Sequence, residues 1–228
     1  MGKCEQCIIR EFNSLKSLTK QELTRISGCK VSKTIKKGEV LFKEGEHING
    51  VYCIRDGICK VSKMSDNGRD QIINLIKKGD IIGERSLVNN EASNLKAIAV
   101  NDVQVCFIPK EEILNGLQNN IDFSMDMLKS MANSLKNADN VIVDMAQKTV
   151  KQRLAATLLF LHNKFKSNED GYLDILLTRE DIANIIGTAT ESAIRLLSEF
   201  NKKGYIKLKG KQVVVTNPTE LQQIAQGF

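Results

Sequence analysis

Leu177-Thr-Arg-Glu-Asp-Ile-Ala-Asn-Ile-Ile-Gly-Thr-Ala-Thr-Glu-Ser-Ala-Ile-Arg-Leu-Leu-Ser-Glu-Phe200 is the stretch that decides how this chain is read. It divides into two short amphipathic segments around Gly187, a pattern that predicts a helix-turn-helix and hence a protein that reads DNA. Thr178 is placed to cap the first helix, with Asp181 as its capping-box partner. Ile182, Ile185 and Ile186 supply the buried face, and Gly187 ends the helix where a positive φ is needed. The second helix is expected to begin at Thr188 or Ala189, with Leu196, Leu197 and Phe200 turned to the core. Glu191 and Arg195 are four apart and share the outer face, flanked by Thr190 and Ile194. A carboxylate can accept from cytosine N4, and a guanidinium can donate to guanine O6 and N7. The same spacing also suits an ordinary surface ion pair.

Working outward, Tyr205-Ile-Lys-Leu-Lys-Gly-Lys-Gln-Val-Val-Val215 alternates on either side of Gly210 and predicts a hairpin, the wing of a winged helix. Lys207, Lys209 and Lys211 line it. Beside a helix-turn-helix such lysines suit phosphate contact, although a solvated basic hairpin has the same pattern. Upstream, about residues 30 to 110 hold short β-branched runs: Val40-Leu-Phe42, Val51-Tyr-Cys-Ile54, Ile73-Asn-Leu-Ile76 and Val103-Gln-Val-Cys-Phe-Ile108. Turn signals fall at Lys37-Gly38-Glu39, Glu44-Gly45-Glu46, Asp56-Gly57, Asn67-Gly68 and Lys78-Gly79-Asp80. Many short strands with regular turns predict a closed or sandwiched antiparallel sheet. The period then changes. Ile121, Leu128, Leu135 and Ile142 recur every seven residues, with Met131, Ala138 and Met145 at the offset position. This predicts a long helix with a coiled-coil-like seam, suited to a dimer. Its plain alternative is a helix packed on its own domain.

The 228 residues suffice for one large or two small domains, and 42% hydrophobic residues support real cores. No uninterrupted apolar run reaches about 18 residues, so no membrane span is expected. The N-terminal residues lack an apolar signal region. The six cysteines are therefore expected in the reducing cytoplasm. A net charge of +6 fits a polyanionic partner. Two histidines, His47 and His162, in no metal-ligand spacing, leave little material for histidine chemistry. No Walker glycine loop or Ser/His/Asp constellation suggests an enzyme.

In this order the chain resembles the CRP/FNR family of bacterial transcription regulators. The residues that carry the resemblance are Lys37-Gly-Glu-Val-Leu-Phe-Lys-Glu-Gly-Glu46, Gly79-Asp-Ile-Ile-Gly-Glu84, Cys106-Phe-Ile-Pro109 and the Glu191/Arg195 pair. The resemblance implies an α+β fold in four parts: an N-terminal cysteine-containing arm over 1–18, a β-roll sensor domain over 19–110, a dimerisation helix over 111–146, and a winged helix-turn-helix over 147–228. It also implies a cytoplasmic homodimer on an inverted repeat with a TGA-like half-site core, and contact with RNA polymerase. Glu191 and Arg195, with Thr190 and Ile194 beside them, would contact base edges. Arg179, with Thr178, would contact phosphate, as would Lys209 and Lys211.

Two family chemistries bear on the signal. In cyclic-AMP receptors an Arg-Ser pair binds the cyclic phosphate, ten residues after the glutamate matching Glu84; that register here holds Asn94-Leu95. A buried phosphate without its cation is costly to desolvate, so cyclic AMP is not expected. Oxygen-sensing relatives hold an iron–sulfur cluster on N-terminal cysteines and one late in the roll. Cys4, Cys7 and Cys106 match three of those four ligands, and Asn13 stands where the remaining one falls. Cys29 can substitute if it lies near Cys106, as can a carboxylate such as Glu11; zinc at a similar four-thiolate site, and reduced cysteines, either inert or redox-active, are the alternatives. Cys53 and Cys59 sit in strand-like runs and read as small buried hydrophobes. Two other functions compete: a thiol-disulfide oxidoreductase using Cys4 and Cys7, and a ligand-binding regulatory subunit whose winged helix binds protein.

Overall fold

The computed structural model describes residues 3–66, 68–165, 173 and 175–227. Asn67 of the expected Asn67-Gly68 turn, and Met1 and Gly2 of the arm, lie outside the described residues. The chain forms two compact units: one running to Met64 and resuming over Ile73–Lys136, the other comprising Ser65–Ile72 and the residues from Asn137 onward.

In the first unit, three short 3-10 turns, Cys4–Gln6, Ile8–Phe12 and Ser14–Ser17, precede helix α1, Lys20–Cys29. Thr19 and Glu22 form a capping box at its start. Strands β1 (Val31–Ile35), β2 (Val40–Phe42), β3 (Gly50–Asp56), β4 (Ile58–Met64), β5 (Asp70–Lys77) and β6 (Ile81–Ile82) follow. Helix α2 (Glu84–Asn89) leads to β7 (Lys96–Ala99), β8 (Val103–Pro109), α3 (Lys110–Asn119) and α4 (Ile121–Gln147). The strands make two four-stranded sheets, ordered β1-β8-β3-β6 and β2-β7-β4-β5. The expected double sheet is therefore present. Gly57, at φ +85°, makes the turn between β3 and β4, where a Cβ would fall 2.4 Å from the Asp102 carbonyl oxygen.

Alternation along the strands sorts the core into two layers. Leu41, Ile54, Cys59, Val61, Ala97 and Val105 fill the space between the sheets. Val51, Cys53, Cys106 and Ile108 point the other way, against Leu23 and Ile26 of α1, Ile113 of α3, and Phe123 and Met127 of α4. Cys59 and Cys53 are both the buried hydrophobes expected of them, Cys59 between the sheets and Cys53 in the layer that faces the helices and the arm.

The single helix expected over 111–146 is broken. Asn120, with extended backbone angles (φ −129°, ψ 102°), ends α3, and its side-chain oxygen accepts from Phe123 N–H at 3.0 Å to start α4. An asparagine that hydrogen-bonds the next turn's backbone competes with helix continuation, which seam periodicity alone does not reveal.

The second unit is built on α5 (Val150–Lys164), whose Leu154, Ala155, Leu158 and Leu161 are buried. Around it pack α6 (Arg179–Ile186), α7 (Thr190–Lys202), the hairpin β9 (Ile206–Lys209) with β10 (Gln212–Val215), and α8 (Pro218–Gln226). Arg153 of α5 holds helix ends together. Its guanidinium donates to the carbonyls of Ile186 at 2.8 Å and Lys148 at 2.6 Å, groups that have no intrahelical partner.

Candidate nucleic-acid interface and thiol cleft

The start of α6 is the capping box read from sequence. Thr178 Oγ1 accepts from Asp181 N–H at 3.0 Å, and Thr178 N–H donates to the Asp181 carboxylate at 2.9 Å. The Thr178 hydroxyl also donates to that carboxylate, at 2.8 Å, so its proton is already committed inside the cap. Gly187 ends α6 at φ +63°. The second helix starts at Thr190 behind Ala189, slightly later than expected. Ala193, Leu197 and Phe200 face inward, and Leu196 is half-buried.

On the opposite face of α7, Glu191 and Arg195 are exposed, Ile194 is 45% exposed, and Thr190 is half-buried. Among the described residues no ion pair joins Glu191 to Arg195. The acid that is paired lies on the helix flank: Glu199 meets Lys151 at 2.7 Å and Lys203 at 3.3 Å. Hydrogen bonds from those two ammonium groups lower its pKa. This outer face therefore presents a carboxylate and a guanidinium not paired with one another.

The hairpin pairs Lys209 with Gln212 around Gly210, at φ +58°, and leaves Lys207, Lys209 and Lys211 exposed. Arg179 ties helix to wing: Nη2 donates to the Gly210 carbonyl at 2.7 Å. Its Nη1 is buried with no partner, and burial lowers the guanidinium pKa.

The expected thiols behave differently. Cys4, Cys7 and Cys106 line one narrow cleft of about 20 Å³, room for roughly one water. Cys53 lines it as well, although sequence reasoning treated it as packing. Its strand position explains this: in the β3–β8 register Cys53 lies directly opposite Cys106. Ser32 Oγ lies 3.5 Å from Cys106 Sγ on the far side. Burial first, then the neighbouring Cys106 and Cys7, push the Cys53 thiol up to about 12. Arg10, Lys30 and Arg55 also line the cleft, and Arg55 Nε is buried without a hydrogen-bond partner.

Cys29 is exposed at the end of α1, its thiol donating to the Ile26 carbonyl at 3.6 Å, and it is not among the residues that line the cleft. Glu11 does not line it either and pairs with Arg10 at 3.2 Å. Among the described residues, no three His, Cys, Asp or Glu side chains gather round a single-ion position.

The segment matching cyclic-nucleotide receptors keeps its turn but not its cation. Gly83 sits at φ +102°, where a Cβ would fall 3.0 Å from the Gly50 carbonyl. Glu84 Oε2 is buried without a partner, and burial raises its pKa. Asn94 is exposed, and Leu95 packs against the core between the sheets.

A helix-turn-helix with an open outer face, a basic wing and a sheet domain ahead of it define a DNA-binding transcription regulator rather than an enzyme. The comparisons agree. A family model described as a cyclic nucleotide-binding domain matches residues 32–120, and a Crp-like helix-turn-helix domain matches 152–224. The fumarate and nitrate reduction regulatory protein of Escherichia coli K12 is 29% identical over 97% of this chain and 90% of its own length. The anaerobic regulatory protein of Aggregatibacter actinomycetemcomitans is 28% identical over 97% of this chain and 87% of its own. FixK2 of Bradyrhizobium japonicum shares the fold, with a TM-score of 0.78 and 23% identity, over 86% of this chain and 96% of that one. The chain belongs to the CRP/FNR family.

Proposed function

We propose that the protein acts in the cytoplasm as a homodimer, binds an inverted repeat with a TGA-like half-site core, and takes its signal through thiols at the arm. The observation that carries the DNA reading is the outer face of α7: Thr190, Glu191, Ile194 and Arg195 lie together, unpaired with one another, above a buried opposite face. Arg195 reads a guanine, and Glu191 the complementary-strand cytosine or a nearby amino group. Ile194 packs on a thymine methyl. Arg179, Lys209 and Lys211 hold phosphates and set register. Thr178 contributes through the helix start it caps, since its hydroxyl proton is held by Asp181. RNA polymerase is the protein partner, by likeness to the family.

Dimerisation runs through α4. Ile121, Leu128, Leu135 and Ile142 are 59–80% exposed and fall on one stripe. Met131, Ala138 and Met145 are half-buried at its margin, and Met131 also packs against its own core. An apolar stripe of this length, left exposed among the described residues, suits a second copy.

The signal is redox or oxygen, read at the cleft of Cys4, Cys7 and Cys106. The thiol-rich lining and the buried, unpartnered Arg55 Nε fit an anionic iron–sulfur group. Bound there, such a group would supply sensitivity to oxygen. The arm's own residues hold the cysteines in place: Cys4 N–H donates to Ser27 Oγ at 2.6 Å, and Ser27 donates to Glu5 at 2.9 Å. Cyclic AMP is not the effector, because no cation stands at Asn94-Leu95.

Selection of bound sequences from random duplexes tests the reading. An inverted repeat with half-site centres about one turn apart, ~34 Å, is expected. Selection of no palindrome, or an unchanged site after Arg195→Ala, would overturn it.

A further inference from the structure

We infer that Cys53 is the fourth thiolate of the cleft, so that Cys4, Cys7, Cys53 and Cys106 together hold an iron–sulfur cluster. The inference rests on the proposed thiol site and specifies its ligand set. Three observations carry it. First, strand register sets Cys53 opposite Cys106, and both side chains point to the layer that also receives Cys4 and Cys7. Second, Asn13 lies beside this group as a donor instead of a ligand. Its side-chain nitrogen lies 3.7 Å from Cys53 Sγ, donates to the Gly79 carbonyl at 2.9 Å, and reaches the Ile9 carbonyl at 3.3 Å. An amide N–H beside a thiolate sulfur is the kind of outer contact that orients and tunes a ligand. Third, Arg55 lines the cleft, and its Nε is buried with no hydrogen-bond partner, a cationic side chain with a donor left over for an anionic group.

The donor set, four thiols lining one cleft, suits a cluster, and among the described residues no three candidate ligands gather round a single-ion position. The cleft of about 20 Å³ must widen to admit a cluster. The wall able to yield is the Cys4–Cys7 turn, two short 3-10 segments whose cysteines are only half-buried. The β3–β8 wall pairs without a break from Gly50 to Ile54, across Cys53 and Cys106, and stays fixed.

The test is iron, acid-labile sulfide and visible absorption in the full chain, purified without oxygen. The wild type should carry about four irons and four sulfides per chain. Cys53→Ala and Cys53→Ser should each lose at least half of both and lose the thiolate-to-iron absorption. Cys29→Ala and Cys59→Ala should keep them. Far-UV circular dichroism, and a unimpaired thermal transition in Cys53→Ser, show that loss is not misfolding. Full iron in both Cys53 variants, with loss in Cys29→Ala, would overturn the assignment of Cys53 while leaving a cluster in place. Wild-type protein without iron or sulfide, or with zinc in their stead, would overturn the cluster reading itself.

Discussion

Leu135→Asp should dissociate the dimer without unfolding the chain. Leu135 keeps 65% of its surface exposed in the single chain, so the substitution removes little from the chain's own core. Fully burying a leucine side chain is worth about 1.5–3 kcal/mol, so covering that fraction contributes roughly 1–2 kcal/mol per chain and roughly 2–4 kcal/mol across a symmetric interface. At about 1.4 kcal/mol per factor of ten, the dissociation constant should rise by roughly thirtyfold to nearly a thousandfold. Two carboxylates facing each other in an apolar seam add to that. Asn140 is exposed on the opposite side of α4, so Asn140→Asp adds the same charge away from the seam and should change nothing. Sedimentation velocity over a concentration series measures all three proteins. Ala138 brings no charge to the seam, so the metal-free wild type should already be a dimer at micromolar concentration. A clean monomer under those conditions would refute the reasoning, as would equal weakening by Leu135→Asp and Asn140→Asp.

Arg195→Ala should cost roughly 1–3 kcal/mol at the selected site and relax one base position, measured by competition among single-base variants. Lys209→Ala should weaken every sequence alike and flatten the salt dependence of binding by about one unit of slope; a sequence-specific effect would remove it from the phosphate contacts. Isothermal titration with cyclic AMP should give no heat of binding, and a micromolar dissociation constant coupled to tighter DNA binding would contradict the reading of Asn94-Leu95. Burial raises the Glu84 carboxyl above its ordinary 4.5, so this group binds its proton more tightly folded than unfolded. Its contribution is therefore present at low pH and lost as pH rises through the raised value. Glu84→Gln should raise the urea midpoint at neutral pH more than at pH below about 4, and an equal shift at both would show that the charge is not what burial opposes.

Much of the DNA-binding unit was legible because its determinants are local. A capping threonine, a glycine at positive φ and a helical period each act within a few residues, so Thr178, Gly187 and the face of α7 follow from spacing alone. The double sheet was legible for the same reason, through its turn glycines. The break at Asn120 was not. Seam periodicity runs through the expected helix, and only the contact from Asn120 to Phe123 N–H shows that the chain restarts there.

The cleft shows where local reading fails and why. Cys4 and Cys7 declare themselves by spacing, and Cys106 by its place in a motif. Cys53 carries no local mark, since a cysteine in a strand is a common small hydrophobe. What brings it to the others is antiparallel register, a relation between residues more than fifty positions apart. A shift of one residue in that pairing would turn Cys53 to the inter-sheet core beside Cys59, and the cleft would keep three thiols. Asn13 then takes on a different meaning. At a position expected to ligate, asparagine looked like a loss. Beside a strand that supplies its own sulfur, an amide that donates toward that sulfur fits better than a fifth thiol would. On the proposed ligand set the pair Asn13 and Cys53 is understood together: Cys53 of the sheet supplies the sulfur, and Asn13 of the arm supplies a hydrogen bond beside it. Asn13→Ala should therefore retain the cluster yet alter its reduction potential. Voltammetry on anaerobic protein reads that shift directly. An unchanged potential would show that the contact from Asn13 does not reach the bound state, and complete loss of iron would return Asn13 to the ligand set.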